Sequence, residues 1–275
     1  MTTAPLTSPA SRAFTVPRLI SHTWFLTGRR LHALARQPAV IVGNLVQPAI
    51  WLFLFGSLFR RVVDIPGFGH GHGSYLGYLV PGVIAMNAMN ASMWAGVAMI
   101  EEIDRGTLNR FLSSPVSRVA LMTSGVADQA VTTGLQSVAI LLLGLLGGAH
   151  YPGGIAGCAV VVAAGVLLGT VFGGLSNAMG MLLRQREAII GFNVLFMLPL
   201  TFLSSAFMPT ALMPHWMRII TACNPLDWAV RAGRSALTAS PDWGPIAARG
   251  GGLLALTIVC VAISVATFRS YQKSV

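Results

Sequence analysis

Six predominantly apolar stretches alternate with short polar segments along this chain, near residues 39–59, 76–100, 119–148, 154–183, 188–208 and 245–268. Each is about 20 residues or longer, the length a helix needs to cross a hydrocarbon core of roughly 30 Å. The third and fourth are long enough to tilt or to project beyond a bilayer. Pro48 and Pro81 fall inside stretches of this kind, where neighbouring helices can satisfy the freed backbone groups. Between residues 16 and 38 the pattern changes. Ile20, Trp24, Leu31, Leu34 and Ala35 follow helical spacing, opposite a polar side carrying Arg29, Arg30 and Arg36. This predicts an amphipathic helix lying in the headgroup region. Residues 1–15 are rich in Thr, Ser, Pro and Ala and lack the apolar run of a cleaved signal, so they read as a disordered tail. The long segment 209–244 predicts two short helices. One starts at Pro214 and carries Trp216, Met217, Ile219 and Ile220; the other follows the break at Asn224-Pro225, over 226–238.

The predicted fold is therefore an all-α integral membrane protein. Six transmembrane helices occupy 39–275, with an interfacial helix before them and short external helices between spans five and six. Composition supports this. Only 9% of the residues are charged and 54% are hydrophobic, with mean hydropathy +0.70, whereas a soluble domain carries about 25% charged residues. A large soluble helical core is excluded.

The formal net charge of +10 does not point to nucleic acid, because there is a single lysine, Lys273, and the arginines are scattered among loops. Their distribution sets orientation instead. Twelve basic residues fall on the side of the N-terminal segment, loop 101–118, loop 184–187 and the C-terminus; six fall on the other. Both termini are expected in the cytoplasm of a cell whose plasma membrane holds the chain, with Arg60 and Arg61 as a counter-signal. The three cysteines, Cys158, Cys223 and Cys260, are odd in number and form no disulfide framework. His70 and His72, near Asp64, lack a third metal ligand, and no metal site is expected.

The chain has eight acidic residues, and Glu101, Glu102 and Asp104 fall within four positions. Ile103, Thr107, Leu108, Phe111 and Leu112 form one broad face, and Glu101, Glu102, Arg105, Asn109 and Arg110 the polar one. The pattern predicts a short amphipathic helix ended by Ser113-Ser114-Pro115. A plain solvated connector is the alternative. The stretch "EEIDRGTLNRFLSSPVSR" resembles the first cytoplasmic loop of ABC-2 type transporter permeases. The match runs through Glu102, Gly106, Thr107, Leu108, Phe111-Leu112, Pro115, Val116, Ser117 and Arg118. "FMPTALMPHWMRIITACNPLDWAVRAGR" is similar to the family's external segment, through Pro209, Leu212, Pro214, Trp216, Asn224-Pro225 and Arg231. Within the family the chain looks most like the daunorubicin-resistance exporters.

The resemblance implies a permease subunit of an ATP-driven exporter of drug-like or lipid-like molecules. It implies pairing with a second permease, the same or related, and two cytoplasmic ATPase subunits. Glu101, Glu102, Arg105, Gly106, Thr107, Leu108, Phe111, Leu112 and Pro115 would then couple to the ATPase. Pro209, Pro214, Trp216, Asn224, Pro225 and Arg231 would belong to an outer gate. No cofactor is expected on this chain: a phosphate-binding loop needs a Gly-rich turn and a lysine, and Lys273 has no such turn before it. ATP and Mg would sit on the partner.

Polar residues in spans are costly and often functional. Asn87 and Asn90, with Met86, Met89 and Met93, lie on span two; Asp128, Thr132 and Gln136 form one stripe on span three. Met86, Asn87, Asn90, Met93, Asp128 and Gln136 are candidates for a translocation path, and core packing is the plainer reading of the methionines. An ion-coupled exporter would need midplane titratable groups, for which Asp128 is the one candidate. A membrane hydrolase would need clustered carboxylates or a Ser/His pair within spans, and neither is evident. Export of polysaccharide or lipid by the same architecture remains the alternative. Gly165, Gly169 and Gly173, four residues apart, predict close helix packing.

Overall fold

The computed structural model describes residues 38–59, 75–104, 118–183 and 185–273. The tail 1–15, nearly all of the segment 16–38, the His70/His72 loop and residues 105–117 lie outside the described residues.

Among the described residues the chain is helical, without strands. Helices α1 (Pro38–Leu58), α2 (Tyr75–Met93), α3 (Ala95–Asp104), α4 (Arg118–Leu146), α5 (Gly154–Leu183), α6 (Arg186–Phe202), α7 (His215–Cys223), α8 (Pro225–Ala236) and α9 (Trp243–Lys273) follow in order, with a 3-10 turn at Thr210–Leu212. Four segments are long and apolar enough to cross a membrane: Tyr75–Glu101, Gly125–Leu146, Gly154–Leu183 and Trp243–Thr267. Of the two other expected spans, the first is represented by the apolar but shorter Gly43–Leu58, and the fifth by α6, 17 residues long.

Helix α5 is the centre of the bundle, in contact with α2, α3, α4, α8 and α9. Its small residues make this possible. A Cβ on Gly165 would come 3.1 Å from Ile84 and Ser137, and one on Gly169 would come 2.9 Å from the Ser92 hydroxyl. The glycine stripe therefore packs α5 against α2 and α4 within this subunit. Two apolar cores result. One joins Met89, Leu168, Leu226, Val230 and Leu253; the other joins Leu52, Leu79, Ile84, Ile140 and Val161.

Two expected spans are modified. The stretch 76–100 is not one continuous helix, because it breaks at Trp94 between α2 and α3. The break exposes the carbonyl of Met93 and the N–H of Gly96. The Ser176 hydroxyl donates to that carbonyl and accepts from that N–H, and the Asn193 amide donates to Met93 O at 2.7 Å. Side chains from α5 and α6 thus replace the missing helical bonds.

The fifth stretch does not continue to 208. Helix α6 ends at Phe202, just after Pro199, and residues 204–206 run without helical structure through the buried interior. Their backbone is satisfied from the side. Ser205 N donates to Asp227 Oδ1 at 2.9 Å, and Arg234 donates to the carbonyls of Ser205 and Ala206 at 3.0 and 3.3 Å. Tyr75 donates to Phe207 O at 3.2 Å. Non-helical backbone within an apolar bundle requires such partners.

Candidate functional site

A pocket of about 140 Å³ lies between α1, α2 and α6. Its wall is mostly apolar, from Trp51, Met86, Met197 and Phe207, with Gln47, Asn87 and Asn90 as polar points. Apolar walls with a few placed amides suit an amphipathic small molecule. Asn87 Nδ2 donates to Gln136 Oε1 on α4 at 3.0 Å, and Asn90 Oδ1 accepts from Trp94 Nε1 at 3.2 Å. These bonds orient both asparagines and link the pocket to α4 and to the break at Trp94.

The six path candidates do not all meet here. Met86, Asn87 and Asn90 line the pocket, and Gln136 holds Asn87 from behind. Met93 is buried in the core beside Leu168 and Phe172, where the packing reading applies. Asp128 is not among the lining residues. The polar face that α4 turns towards α2 also carries Gln129. Gln129 donates to the hydroxyls of Ser92 and Thr133 at 2.8 and 3.1 Å. Gln129 and the buried Thr133 each lie one position along from the stripe Asp128, Thr132 and Gln136, and helical spacing does not single them out.

At one end of the bundle α3 closes with Glu101 and Asp104, next to the start of α6. Arg186 donates to Asp104 Oδ2 at 2.9 Å and to Glu101 Oε1 at 3.4 Å. The pairs are about half exposed and tie the start of α6 to the acidic end of α3. The Glu102 side chain lies outside the described residues, as do Arg105, Gly106, Thr107, Leu108, Phe111, Leu112 and Pro115.

At the other end, α1, α4 and α6 finish and α2, α5 and α9 begin. Here Pro214 precedes α7 and Asn224 caps α8, with Pro225 at its first turn. The Asn224 carboxamide does three jobs. Its oxygen accepts from Leu226 N at 3.0 Å, and its nitrogen donates to Leu200 O and Leu203 O at 2.7 and 2.8 Å. It thereby fixes the α7–α8 corner to the end of α6. Trp216 stands 60% exposed on α7 beside exposed Ile219 and Ile220, an apolar face suited to an interface. Pro209 starts the 3-10 turn, and Arg231 lies 3.7 Å from Asp227.

The centre of this end is a residue the sequence reading left as one loop charge among six. Arg234 is only 8% exposed. Its Nε and Nη2 donate to Tyr78 O at 3.2 and 3.1 Å, and its guanidinium lies 3.4 Å over the Tyr78 ring. Burial pulls its pKa below the usual range, while the neighbouring Tyr78 and Asp227 push it up. Among the described residues no three metal-ligating side chains converge.

Residues 21–238 match the family model described as "ABC-2 type transporter". The chain belongs to the ABC-2 type transporter family. A permease of Streptomyces coeruleorubidus named for daunorubicin resistance is 24% identical over 249 residues, covering 90% of this chain and 85% of its own. The ycf38 transport permease of Cyanophora paradoxa, whose name states no substrate, is 28% identical over 214 residues, covering 77% and 72%. A Mycobacterium tuberculosis permease named for doxorubicin resistance is 22% identical over 274 residues, covering 99% and 94%. The family resemblance read from 101–118 and 209–238 therefore holds, and the chain is a multi-pass membrane permease of the ABC-2 family.

Proposed function

We propose that this chain is the transmembrane subunit of an ATP-driven exporter that moves an amphipathic, drug-like or lipid-like molecule out of the cytoplasm or the inner leaflet. The observation that carries the reading is the pocket between α1, α2 and α6, apolar-walled with amides at Gln47, Asn87 and Asn90, in a family whose matched relatives include permeases named for anthracycline resistance. The pocket sits beside the Trp94 break, and α3 runs from that break to the acidic end at Glu101 and Asp104. Movement imposed on the loop after α3 reaches the pocket through one short helix.

In this reading ATP and Mg bind a separate cytoplasmic ATPase, present twice, and the permease pairs with a second copy or a related chain. Residues 101–118 dock on the ATPase, the termini are cytoplasmic, and α7 and α8 form an outer gate. The test is reconstitution of the chain with its cognate ATPase in vesicles and measurement of ATP-dependent daunorubicin movement. Transport lost in Asn87→Leu, with ATPase association intact, is the expected result. Unchanged transport in that variant overturns the pocket's role.

A further inference from the structure

A second cavity, of about 300 Å³, opens at the α7–α8 end of the bundle, lined by Tyr78, Ser205, Arg231, Arg234, Ser235 and Arg249 among others. Three guanidinium groups from α8 and α9 thus meet in one space. Two carboxylates answer them, Asp227 and the exposed Asp242, which acts on Arg249. Asp227 Oδ1 accepts from Ser205 N, and Asp227 Oδ2 lies 3.7 Å from Arg231 without a hydrogen bond. Arg249 makes no ion pair or hydrogen bond among the described residues and meets Asp227 and Asp242 only at longer range. Arg234, though buried, has only carbonyls and the Tyr78 ring as partners, and its Nη1 has no acceptor among the described residues. The Ser205 hydroxyl, on a residue 1% exposed, also has no hydrogen-bond partner among the described residues.

Buried charges are ordinarily paired, and like charges are not brought together without a counter-charge. Three arginines against Asp227 and the exposed Asp242 still leave a cationic excess in a concave space that also holds an unused buried hydroxyl. These are the features of an anion site. Arginine forks match phosphate oxygens, and a phosphate can present oxygens to several guanidinium groups at once, where a carboxylate fills one fork. The cavity lies where three helices of the bundle begin and three end, the level at which lipid headgroups meet a membrane protein.

We infer that the Arg231–Arg234–Arg249 cavity binds a phosphate group, supplied by a phospholipid headgroup or by free phosphate. Arg231 and Arg249, from adjacent helices, grip the phosphate oxygens; Arg234 Nη1 and the Ser205 hydroxyl complete the floor. Asp227 keeps Arg231 oriented when the site is empty. Occupancy would tie α8 to α9, and both to the chain around Ser205 that crosses the bundle.

The test uses the purified full-length chain in neutral detergent and needs neither the ATPase nor transport, so its outcome is independent of the export reading. Thermal unfolding and binding are measured with inorganic phosphate, with dihexanoylphosphatidylglycerol, and with dihexanoylglycerol, which has the same tails and no phosphate. Wild-type protein is expected to be stabilised by the phospholipid and not by dihexanoylglycerol. Arg231→Gln and Arg249→Gln, both at half-exposed positions, are expected to lose affinity about tenfold or more, equivalent to about 1.4 kcal/mol. Arg249→Lys should recover part of it, and Arg186→Gln, the same charge loss at the opposite end, should bind as wild type. Stabilisation by both phosphate probes assigns either source; stabilisation by the phospholipid alone assigns the headgroup. The inference is overturned if neither phosphate probe binds, if dihexanoylglycerol works equally well, or if the two glutamine variants bind like wild type.

Discussion

The Ser176 hydroxyl on α5 donates to the carbonyl of Met93, the last residue of α2, and accepts from the N–H of Gly96 in α3. One side chain therefore holds both open ends of a broken helix. Ser176→Ala should leave Gly96 N–H without a partner while Met93 O keeps Asn193. The expected cost is about 1–3 kcal/mol, read as a lower unfolding temperature in detergent. Gly96→Ala should cost more, because a Cβ there would press on the Ser176 backbone. If both variants melt as wild type, the break does not depend on this contact.

Arg186 bridges Glu101 and Asp104 between the start of α6 and the end of α3. The pairs are exposed enough that Arg186→Gln should change stability by less than about 1 kcal/mol. Its effect is expected on coupling instead: ATPase stimulation by substrate should fall while the chain stays folded. Glu102→Arg and Phe111→Ala should weaken co-purification with the ATPase. Wild-type association, stimulation and transport in all three variants would make 101–118 a simple connector.

The Asn87–Gln136 bond joins α2 to α4 at the edge of the apolar pocket. A double-mutant cycle with Asn87→Leu and Gln136→Leu should give a coupling energy of roughly 0.6–2 kcal/mol. Gln136→Leu should also alter which substrates are exported, because Asn87 loses the bond that orients it. A coupling energy near zero would show that the two amides act independently.

Cys223 is exposed at the end of α7, whereas Cys260 is buried in α9. In intact cells an impermeant thiol reagent should label Cys223 and leave Cys260 unmodified. A cysteine introduced at Ser114 should react only in inside-out vesicles. The reverse pattern at 223 and 114 would invert the topology. Trp216→Ala, at an exposed position on the same helix, should reduce transport without loss of ATPase binding.

What the sequence made legible was whatever is written in local signals. Pro214 and Asn224-Pro225 mark α7 and α8 to within a residue or two because capping chemistry is local. The glycines of α5 announce close packing for the same reason. Gly96 marks the break at Trp94 only weakly, because its partners lie far off in the chain: Ser176 and Asn193 are 83 and 100 residues from Met93. Arg234 illustrates the opposite error. Loop charge bias treats an arginine between spans as a water-facing signal, yet this one is turned inward because the carbonyls of Tyr78, Ser205 and Ala206 need donors. Nothing near Arg234 in the chain reveals that need. The inward position of Gln129 likewise rests on Ser92.

The position of α5, enclosed by α2, α3, α4, α8 and α9, has a mechanical consequence. A rod held on so many sides at glycine-close range acts as a stator: it cannot translate without unpacking nearly every neighbour at once. Helices α1 and α6, which bound the apolar pocket and present long apolar faces outward, carry far fewer such restraints. Access to the pocket is therefore expected to change by swinging doors at the perimeter rather than by a piston along the axis. Cross-links joining α1 to α6 should arrest the cycle, while cross-links joining α5 to α9 should leave it running.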